Sequence, residues 1–450
     1  MDARFLIAKY DGRVPRYTSY PTAPHFRAVV GDGWYRDWLS RVRSPKGVSL
    51  YLHVPFCRKM CWYCGCHTRV AKDDVPVQAY TSALRREIAL VAEAMGSLSP
   101  VARIHWGGGT PTILSPEAFG AILGDLRQLF DLGPMAEHAV EIDPRTLTDA
   151  KVAMLASGGV NRVSFGIQTL SEAVQQRINR IQPFDVVSSA VERLAQVGIG
   201  SFNADLMYGL PAQTAEDVVA TVEAVAGLKP SRVSLFGYAH VPWMKPHQLR
   251  IDEAELPGPL QRFEQLLAGA DALAKAGYVR IGLDHFALPG DDLVKAARAG
   301  RLRRNFQGYT DDDATSLVGI GASAISETPE GYAQNLTAIP DWQRAVFAGR
   351  LPVAKMRALS PEDRLRRRVI NDLMCDRTVD LEALQREQGY LPDHLADCVA
   401  RLEEPARDGL VAIDGHRIRV TDRGWPFMRN VAAAFDAYLA PDEMRHARAV

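Results

Sequence analysis

The sequence predicts an α/β fold of parallel strands joined by helices, and three observations carry that expectation. Short β-rich runs alternate with longer helical runs through the middle of the chain. The first such run leads straight into a loop that holds four of the six cysteines. Before and after this body the alternation stops, which sets an N-terminal arm and a C-terminal segment apart.

The arm comprises residues 1–46. Its stretch VPRYTSYPTAPHF is punctuated by prolines and follows no helical or strand period. The arm carries nine Lys/Arg against four Asp, an excess of five positive charges. Arg13 and Arg16 stand out, because guanidinium forks suit carboxylates. The body spans residues 47–345. Its strand candidates are Ser49–Val54, Arg103–Trp106, Ala139–Ile142, Arg162–Gly166, Ser201–Leu206, Arg232–Tyr238 and Tyr278–Leu283. Helical runs separate them: Val77–Met95, Pro116–Phe130, Asp149–Ala156, Phe184–Val197, Ala215–Ala226 and Pro259–Ala276. In such a fold functional residues gather where strands end and loops begin. The last segment, residues 346–450, opens a helix at Ser360-Pro361-Glu362-Asp363, with a cap, an early proline and acids in the first turn. LVAIDGHRIRV reads as a hairpin about Asp414-Gly415, and MRNVAAAFDAYL as a helix. Together they suggest a small helical, winged-helix-like domain. It is not markedly basic, so packing or substrate covering is expected of it rather than DNA binding.

Composition narrows the function. The chain has 450 residues, with Lys+Arg and Asp+Glu both 53, so no global charge draws it to nucleic acid or an anionic membrane. The uncharged run Ile104–Pro116, which no other exceeds, is too short and too rich in Gly and Pro to span a bilayer. The opening MDARFLIAKY lacks a signal-peptide core. A cytoplasmic protein is expected, and there clustered thiols bind metals or do chemistry more often than they form disulfides.

Cys57, Cys61, Cys64 and Cys66 read C-x3-C-x2-C-x-C. Structural zinc sites use two ligand pairs separated by a dozen or more residues, and no second pair follows here. A redox pair at Cys61 and Cys64 fits the spacing but lacks a thioredoxin-like context. An iron–sulfur cluster is the third reading. One loop would give three thiolates to a cubane and leave one iron open to a small chelating molecule. Cys66 follows Cys64 too closely for both sulfurs to reach corners of the same cube. Further motifs surround this loop. HWGGGTPT follows the second strand, and its glycines admit close approach of backbone to a ligand without the spacing of a dinucleotide fingerprint. VEIDPRTL carries Glu141, and Asp143 as a helix cap. SFGIQ supplies Gln168, INRIQ supplies Arg180 and NADLMYGLP supplies Asp205. The run GYTDDDATSLVG reads as a solvated turn, and Cys375 and Cys398 as ordinary small helix residues.

C-x3-C-x2-C at the end of a first strand resembles the radical S-adenosylmethionine (SAM) enzymes. The resemblance is closest to the oxygen-independent coproporphyrinogen III oxidase (dehydrogenase) family. It extends over nearly the whole chain through PRYTSYPTA, YLHVPFC, WGGGTPT, EIDPR, SFGIQ, NADLMYGLP, YAHVP, RNFQGYT, GASAIS and YAQN. It implies an incomplete parallel β/α barrel of the radical SAM type. It implies a [4Fe-4S] cluster on Cys57, Cys61 and Cys64, with Cys66 a catalytic residue and not a ligand. It further implies two SAM molecules. Tyr51, Tyr63, Gly107, Glu141, Ala239 and Ile325 would line the first, and Gly108, Gly109, Gln168, Arg180 and Asp205 the second. The implied reaction is oxidative decarboxylation of two propionates of coproporphyrinogen III to vinyl groups in haem biosynthesis, with an electron donor and an acceptor the sequence does not name. Haem chaperones and haem-degrading relatives share the cluster loop. The chaperones typically have an aromatic in place of Cys66 and lack the PRYTSYPT arm, and a haem-degrading enzyme would differ in substrate. A monomer is expected, since body and covering domain can bury their own surfaces.

Overall fold

The computed structural model describes residues 3–42, 44–96, 100–133 and 137–439. Asp2 and Arg43, counted above among the arm's charges, lie outside the described residues. The chain divides into two compact units. The first unit is Phe26–Asp205 with Asp312–Ala358, and the second is Met1–His25 with Leu206–Asp311 and Leu359–Val450.

In the first unit the strands β1 (Val48–Val54), β2 (Val101–Gly108), β3 (Glu137–Ile142) and β4 (Arg162–Gln168) lie side by side in that order. They are parallel, with Tyr51 opposite His105, His105 opposite Ala139, and Glu141 opposite Ser164. Strand Leu317–Ile320 joins the other edge of β1, also parallel. The next strand, β5 (Ser201–Tyr208), carries the chain into the second unit after Asp205.

Helices return the chain between strands, and local sequence starts and stops them. Helix Val75–Met95 opens with Pro76 and ends at Gly96, whose φ of 70° is the left-handed stop glycine allows. Ser115 caps Pro116–Leu129 by accepting from the Ala118 amide at 3.2 Å, and Thr148 caps Asp149–Ser157. One strand face packs into the core: Leu50, Leu52, Ile104, Trp106, Val140, Ile142, Val163 and Phe165 are all buried. The opposite face is polar. Period-two alternation puts Ser49, Tyr51 and His53 on it from β1, then Arg103, His105 and Gly107, then Glu137 and Glu141, then Arg162, Ser164, Gly166 and Gln168.

Two expectations are corrected in this unit. Past Leu317 the sheet turns antiparallel through Ile325–Thr328, Gly331–Asn335 and Val353–Ala358, short strands that the alternation with helices could not announce. Of the three aspartates, Asp312 is not solvated. Asp312 is buried, accepts from the Ser49 hydroxyl and lies 3.7 Å from Arg103, while Asp313 pairs with Lys46 at 2.7 Å. With Glu137 3.0 Å from both Arg103 and Arg162, these ion pairs fill the N-terminal end of the polar face.

In the second unit β6 (Arg232–Gly237) pairs antiparallel with His285–Ala287, which pairs antiparallel with Val279–Ile281. The single strand expected over Tyr278–Leu283 is therefore the first arm of a hairpin. Gly282, at φ 56°, reverses the chain, and a Cβ there would collide with Tyr309. Helix Pro361–Asp376 starts at Ser360 with a capping box to Asp363, as its sequence implies. The hairpin Val411–Asp414 with Arg417–Val420 pairs Asp414 with Arg417, so its turn is Gly415-His416, one residue later than expected. The helix after it, Met428–Ala433, is shorter than the apolar run suggested. The arm is not wholly irregular: Ala3–Tyr10 forms a helix in this unit that buries Leu6, Ile7 and Tyr10 against Phe263, Leu410 and Phe427. Lys9 and Tyr10 both bond Asp408, at 2.5 and 2.6 Å. Cys375 and Cys398 are buried helix residues, as expected.

Candidate functional site

The cysteine loop leaves the C-terminal end of β1 and is stitched to the glycine turn at the end of β2. Gly109 N–H donates to the Val54 carbonyl at 2.9 Å and Thr110 N–H to the Phe56 carbonyl at 2.8 Å. The Thr110 hydroxyl then donates to Cys57 Sγ at 3.4 Å, and Thr68 Oγ1 lies 3.4 Å from the same sulfur. The join has no spare room. A Cβ on Gly109 would lie 2.5 Å from the Phe56 carbonyl oxygen, and Gly108 sits at φ 117° with His53 where a side chain would be.

The far side of the loop rests on cations. Arg180 Nη1 and Arg145 Nη2 approach Cys61 Sγ at 3.4 and 3.5 Å. Asp143 holds both guanidiniums: it takes a bidentate contact from Arg145, 2.6 Å at closest, and lies 3.6 Å from Arg180. It also caps the turn after β3, as its sequence position implied. Burial opposes ionisation of Asp143, but the Arg145 bond and the Arg180 charge outweigh it and set its pKa below the ordinary range. Asn179 Nδ2 donates to the Met60 carbonyl at 2.8 Å and Trp62 N–H to the Ile178 carbonyl at 3.0 Å, tying the same loop to the Arg180 segment.

Beside the cysteines the polar face offers a second group. Glu141 accepts from Gly108 N–H at 3.1 Å and lies 3.2 Å from His105 Nε2. Burial works against its charge, yet His105 and the Gly108 amide hold its pKa below normal, so it stays a carboxylate. Tyr51 bonds His53 Nδ1 at 2.9 Å, and burial lowers the His53 pKa to about 4. Gly107 lets Tyr51 and Glu141 close together, since a Cβ there would be 2.7 Å from the carboxylate and 2.9 Å from the ring. On the neighbouring strands Ser164 donates to Asp205 at 2.8 Å, and Asn203 donates to both, at 2.9 and 2.8 Å. Gln168 ends β4 at φ 70°, a strained backbone for a residue with a side chain.

The structure thus brings Cys57, Cys61, Cys64, Tyr51, Gly107, Gly108, Gly109, Glu141 and Arg180 together in one unit. Tyr63 lies within charge reach of Arg180, Cys61 and Cys64. Cys66 is exposed and is a hydrogen-bond neighbour of Cys64. Asp205 sits inside β5, and Ile325 opens the half-buried start of Ile325–Thr328. Ala239 belongs to the second unit, where it lines a cavity. Sequence reading did not single out Arg145, Thr68, Thr110, His53 or His105. Arg145 lies within the quoted EIDPR motif, and the two histidines fall on the polar parity of their strands, so alternation could have found them.

Among the described residues no group of three or more His, Cys, Asp or Glu is placed to hold a single metal ion. A cubane asks for something else, one thiolate at each of three irons. The loop fits that demand: it carries three thiols, of which Cys57 faces two hydroxyls and Cys61 two guanidiniums, and a glycine turn closes against it.

Known proteins resemble this chain over most or all of its length. The family model described as the radical SAM superfamily matches residues 51–225, and that of the HemN C-terminal domain matches residues 359–427. An oxygen-independent coproporphyrinogen III oxidase of Bradyrhizobium diazoefficiens is 48% identical over 450 residues, 100% of both chains. One from Paracoccus denitrificans is 43% identical over 432 residues, 96% of each. The solved structure of coproporphyrinogen III oxidase from Escherichia coli, described as a radical SAM enzyme, matches with a TM-score of 0.90 at 36% identity. That match covers 95% of this chain and 100% of the other.

Proposed function

The chain belongs to the oxygen-independent coproporphyrinogen III oxidases, a radical SAM family, and from that membership we infer how its residues divide the work. The enzyme oxidatively decarboxylates two propionates of coproporphyrinogen III to vinyl groups in haem biosynthesis, using a [4Fe-4S] cluster and SAM. The observation that carries the residue assignment is the thiol loop held between Thr68 and Thr110 on one side and Arg145 and Arg180 on the other.

Cys57, Cys61 and Cys64 hold the cluster. Once bound and reduced, the cluster would supply the electron for reductive cleavage of SAM, the source of the radical chemistry at the propionate. Arg145 and Arg180 face Cys61, where positive charge stabilises an added electron. Asp143 keeps both guanidiniums aimed there. Glu141, kept ionised by His105, receives cationic or hydroxyl groups of the first SAM, beside Tyr51, Tyr63, Gly107 and Ile325. Gly108, Gly109, Gln168, Arg180 and Asp205 serve a second SAM. The strained Gln168 and the bonded trio Ser164, Asn203 and Asp205 support that subsite. Cys66 stays off the cluster and acts on the substrate side.

Segments 1–46, 47–345 and 346–450 are assigned as covering arm, catalytic body and C-terminal domain, in keeping with the extents of the two family matches. Among the described residues no helix is long and apolar enough to cross a membrane. The proposal takes the enzyme as a cytoplasmic monomer that exchanges electrons with a separate donor and acceptor.

The test is an anaerobic assay with iron and sulfide, reductant, SAM and coproporphyrinogen III, read by chromatography with mass detection. Loss of two carboxyl groups together with deoxyadenosine formation is expected. Deoxyadenosine without decarboxylation would refute the substrate, and bound zinc with no cluster would refute the whole reading. Equilibrium dialysis with labelled SAM should count two molecules per chain, and one would remove the second subsite.

A further inference from the structure

The second unit contains a cavity of about 340 Å³ whose lining is strongly cationic. Arg13, Arg16, Arg262 and Arg429 all reach it, from the arm, the arm again, helix Pro259–Lys275 and helix Met428–Ala433. Against four guanidiniums the described lining sets one carboxylate, Asp284. That carboxylate is already engaged, 2.8 Å from His285 Nδ1 and 3.4 Å from Arg304. The remaining walls are largely apolar, with Tyr208, Phe236, Tyr238 and Trp243 among them.

Neutral groups are among the partners of these arginines. Arg16 donates to the Gly237 carbonyl at 3.0 Å and Arg429 to the Val14 carbonyl at 3.3 Å. Arg13 lies over the Trp243 ring at 5.5 Å and Arg262 over the Tyr208 ring at 5.7 Å. Burial, and then the charge of Arg16, brings the Arg429 pKa down to about 10. Four guanidiniums around a cavity lined by a single carboxylate favour an anion inside it. Arginine forks favour a carboxylate held bidentately. The volume is at the low end for a ligand pocket, which runs from about 300 to 1,000 Å³. It accepts an edge of a tetrapyrrole with its side chains, and not the whole macrocycle.

We propose that this cavity is a carboxylate subsite in which Arg16, Arg262 and Arg429, with Arg13, hold the two propionates that survive the reaction. The assignment rests on coproporphyrinogen III being the substrate. Its reasoning is electrostatic. A propionate that becomes vinyl gives up its carboxylate charge as neutral carbon dioxide, and an arginine clamp would stabilise the starting carboxylate against that loss. The propionates that persist sit on neighbouring pyrroles and carry the same charge in substrate and product. Clamping them orients the macrocycle without opposing the chemistry. The C-terminal segment thereby acquires a task, since Arg429 comes from it.

The experiment is a fluorescence titration of the reconstituted full chain with coproporphyrin III and with protoporphyrin IX, stable oxidised stand-ins for substrate and product. Arg16→Gln and Arg262→Gln should each weaken both porphyrins by the same factor, about tenfold for a lost charge-assisted bond. Arg429→Gln should do likewise, and Arg429→Lys should recover part of the loss. Because Arg429 is buried, the Arg16 and Arg262 variants carry the test if Arg429→Gln fails to fold. Weakening of coproporphyrin alone would mean that the reacting propionates sit here, and would overturn the proposal. Unchanged binding of both would overturn it too. If the unaltered enzyme decarboxylates coproporphyrinogen while the variants bind normally, the subsite fails and the enzyme assignment stands. If the unaltered enzyme does not decarboxylate, the assignment itself has failed.

Discussion

Gly109→Ala should unseat the cluster loop. The new Cβ would lie 2.5 Å from the Phe56 carbonyl oxygen, whereas ordinary contact begins at 3.4 Å, so the backbone must part by about 0.9 Å. The Gly109–Val54 and Thr110–Phe56 bonds, now 2.9 and 2.8 Å, would stretch beyond hydrogen-bonding range. Their loss costs about 1 kcal/mol each, and overpacking adds about 1–3 kcal/mol. A total of about 3–5 kcal/mol in a domain this size lowers the melting temperature by roughly 10 °C. It also withdraws the Thr110 hydroxyl from Cys57. Gly107→Ala is the control. Its Cβ meets the Glu141 carboxylate and the Tyr51 ring, which are side-chain ends that can rotate away. Iron and sulfide content after anaerobic reconstitution, with a thermal melt, separates the two. Gly109→Ala should lose most of its iron, while Gly107→Ala should keep it and bind SAM more weakly. Full iron and an unchanged melt in Gly109→Ala would refute the reasoning, as would equal iron loss in both.

Cys66→Ser should keep wild-type iron content while losing turnover, whereas Ser at Cys57, Cys61 or Cys64 should lose the cluster; iron loss in Cys66→Ser would make it a ligand. Arg145→Gln should make the cluster harder to reduce, by on the order of 60 mV for a tenfold change in the one-electron equilibrium, read by a potentiometric titration followed by electron paramagnetic resonance. Glu87 gives a pH signature. It is buried beneath the Gly321 amide, Asn335 and Trp342, and burial lifts its pKa from 4.5 to about 7 against those donors. Below about pH 4.5 it is neutral folded or unfolded, and as pH rises to 7 only the unfolded chain ionises, so stability falls by roughly 3 kcal/mol. Glu87→Gln should remove that decline, and chemical denaturation at pH 5 and pH 8 would show whether it does.

Much of this was legible in the residues themselves. Cysteine spacing after an apolar strand marked the loop, and alternation with helices marked the parallel strands through β4. The glycine turn was visible as a tract, but its reason was not. Only the coordinates put the Phe56 carbonyl and the Glu141 carboxylate where a Cβ would go. Arg145 escaped notice because its partner is a sulfur 84 positions away, and no local pattern encodes such a contact. The antiparallel strands after Leu317 are four to six residues long, too short to show a period, and Asp312 looked like a surface acid because its partners Ser49 and Arg103 are distant in sequence. The two histidines of the polar face could have been read, since each shares the parity of Tyr51 or Gly107 on its own strand.

The division of the chain also sets a timetable. Every residue of the thiol loop, its hydroxyl and guanidinium partners and the carboxylate at Glu141 belongs to a unit that is complete once Ala358 has been made. The second unit opens the sequence yet waits for the segment from Leu359 onward, including Arg429, before its cationic cavity has all its walls. At about 5–20 residues per second of synthesis, the interval lasts seconds. On the assignments proposed above, a nascent chain would be able to take up iron and sulfide before it could hold a tetrapyrrole carboxylate, so the redox centre would be ripe for loading ahead of the substrate's anchor.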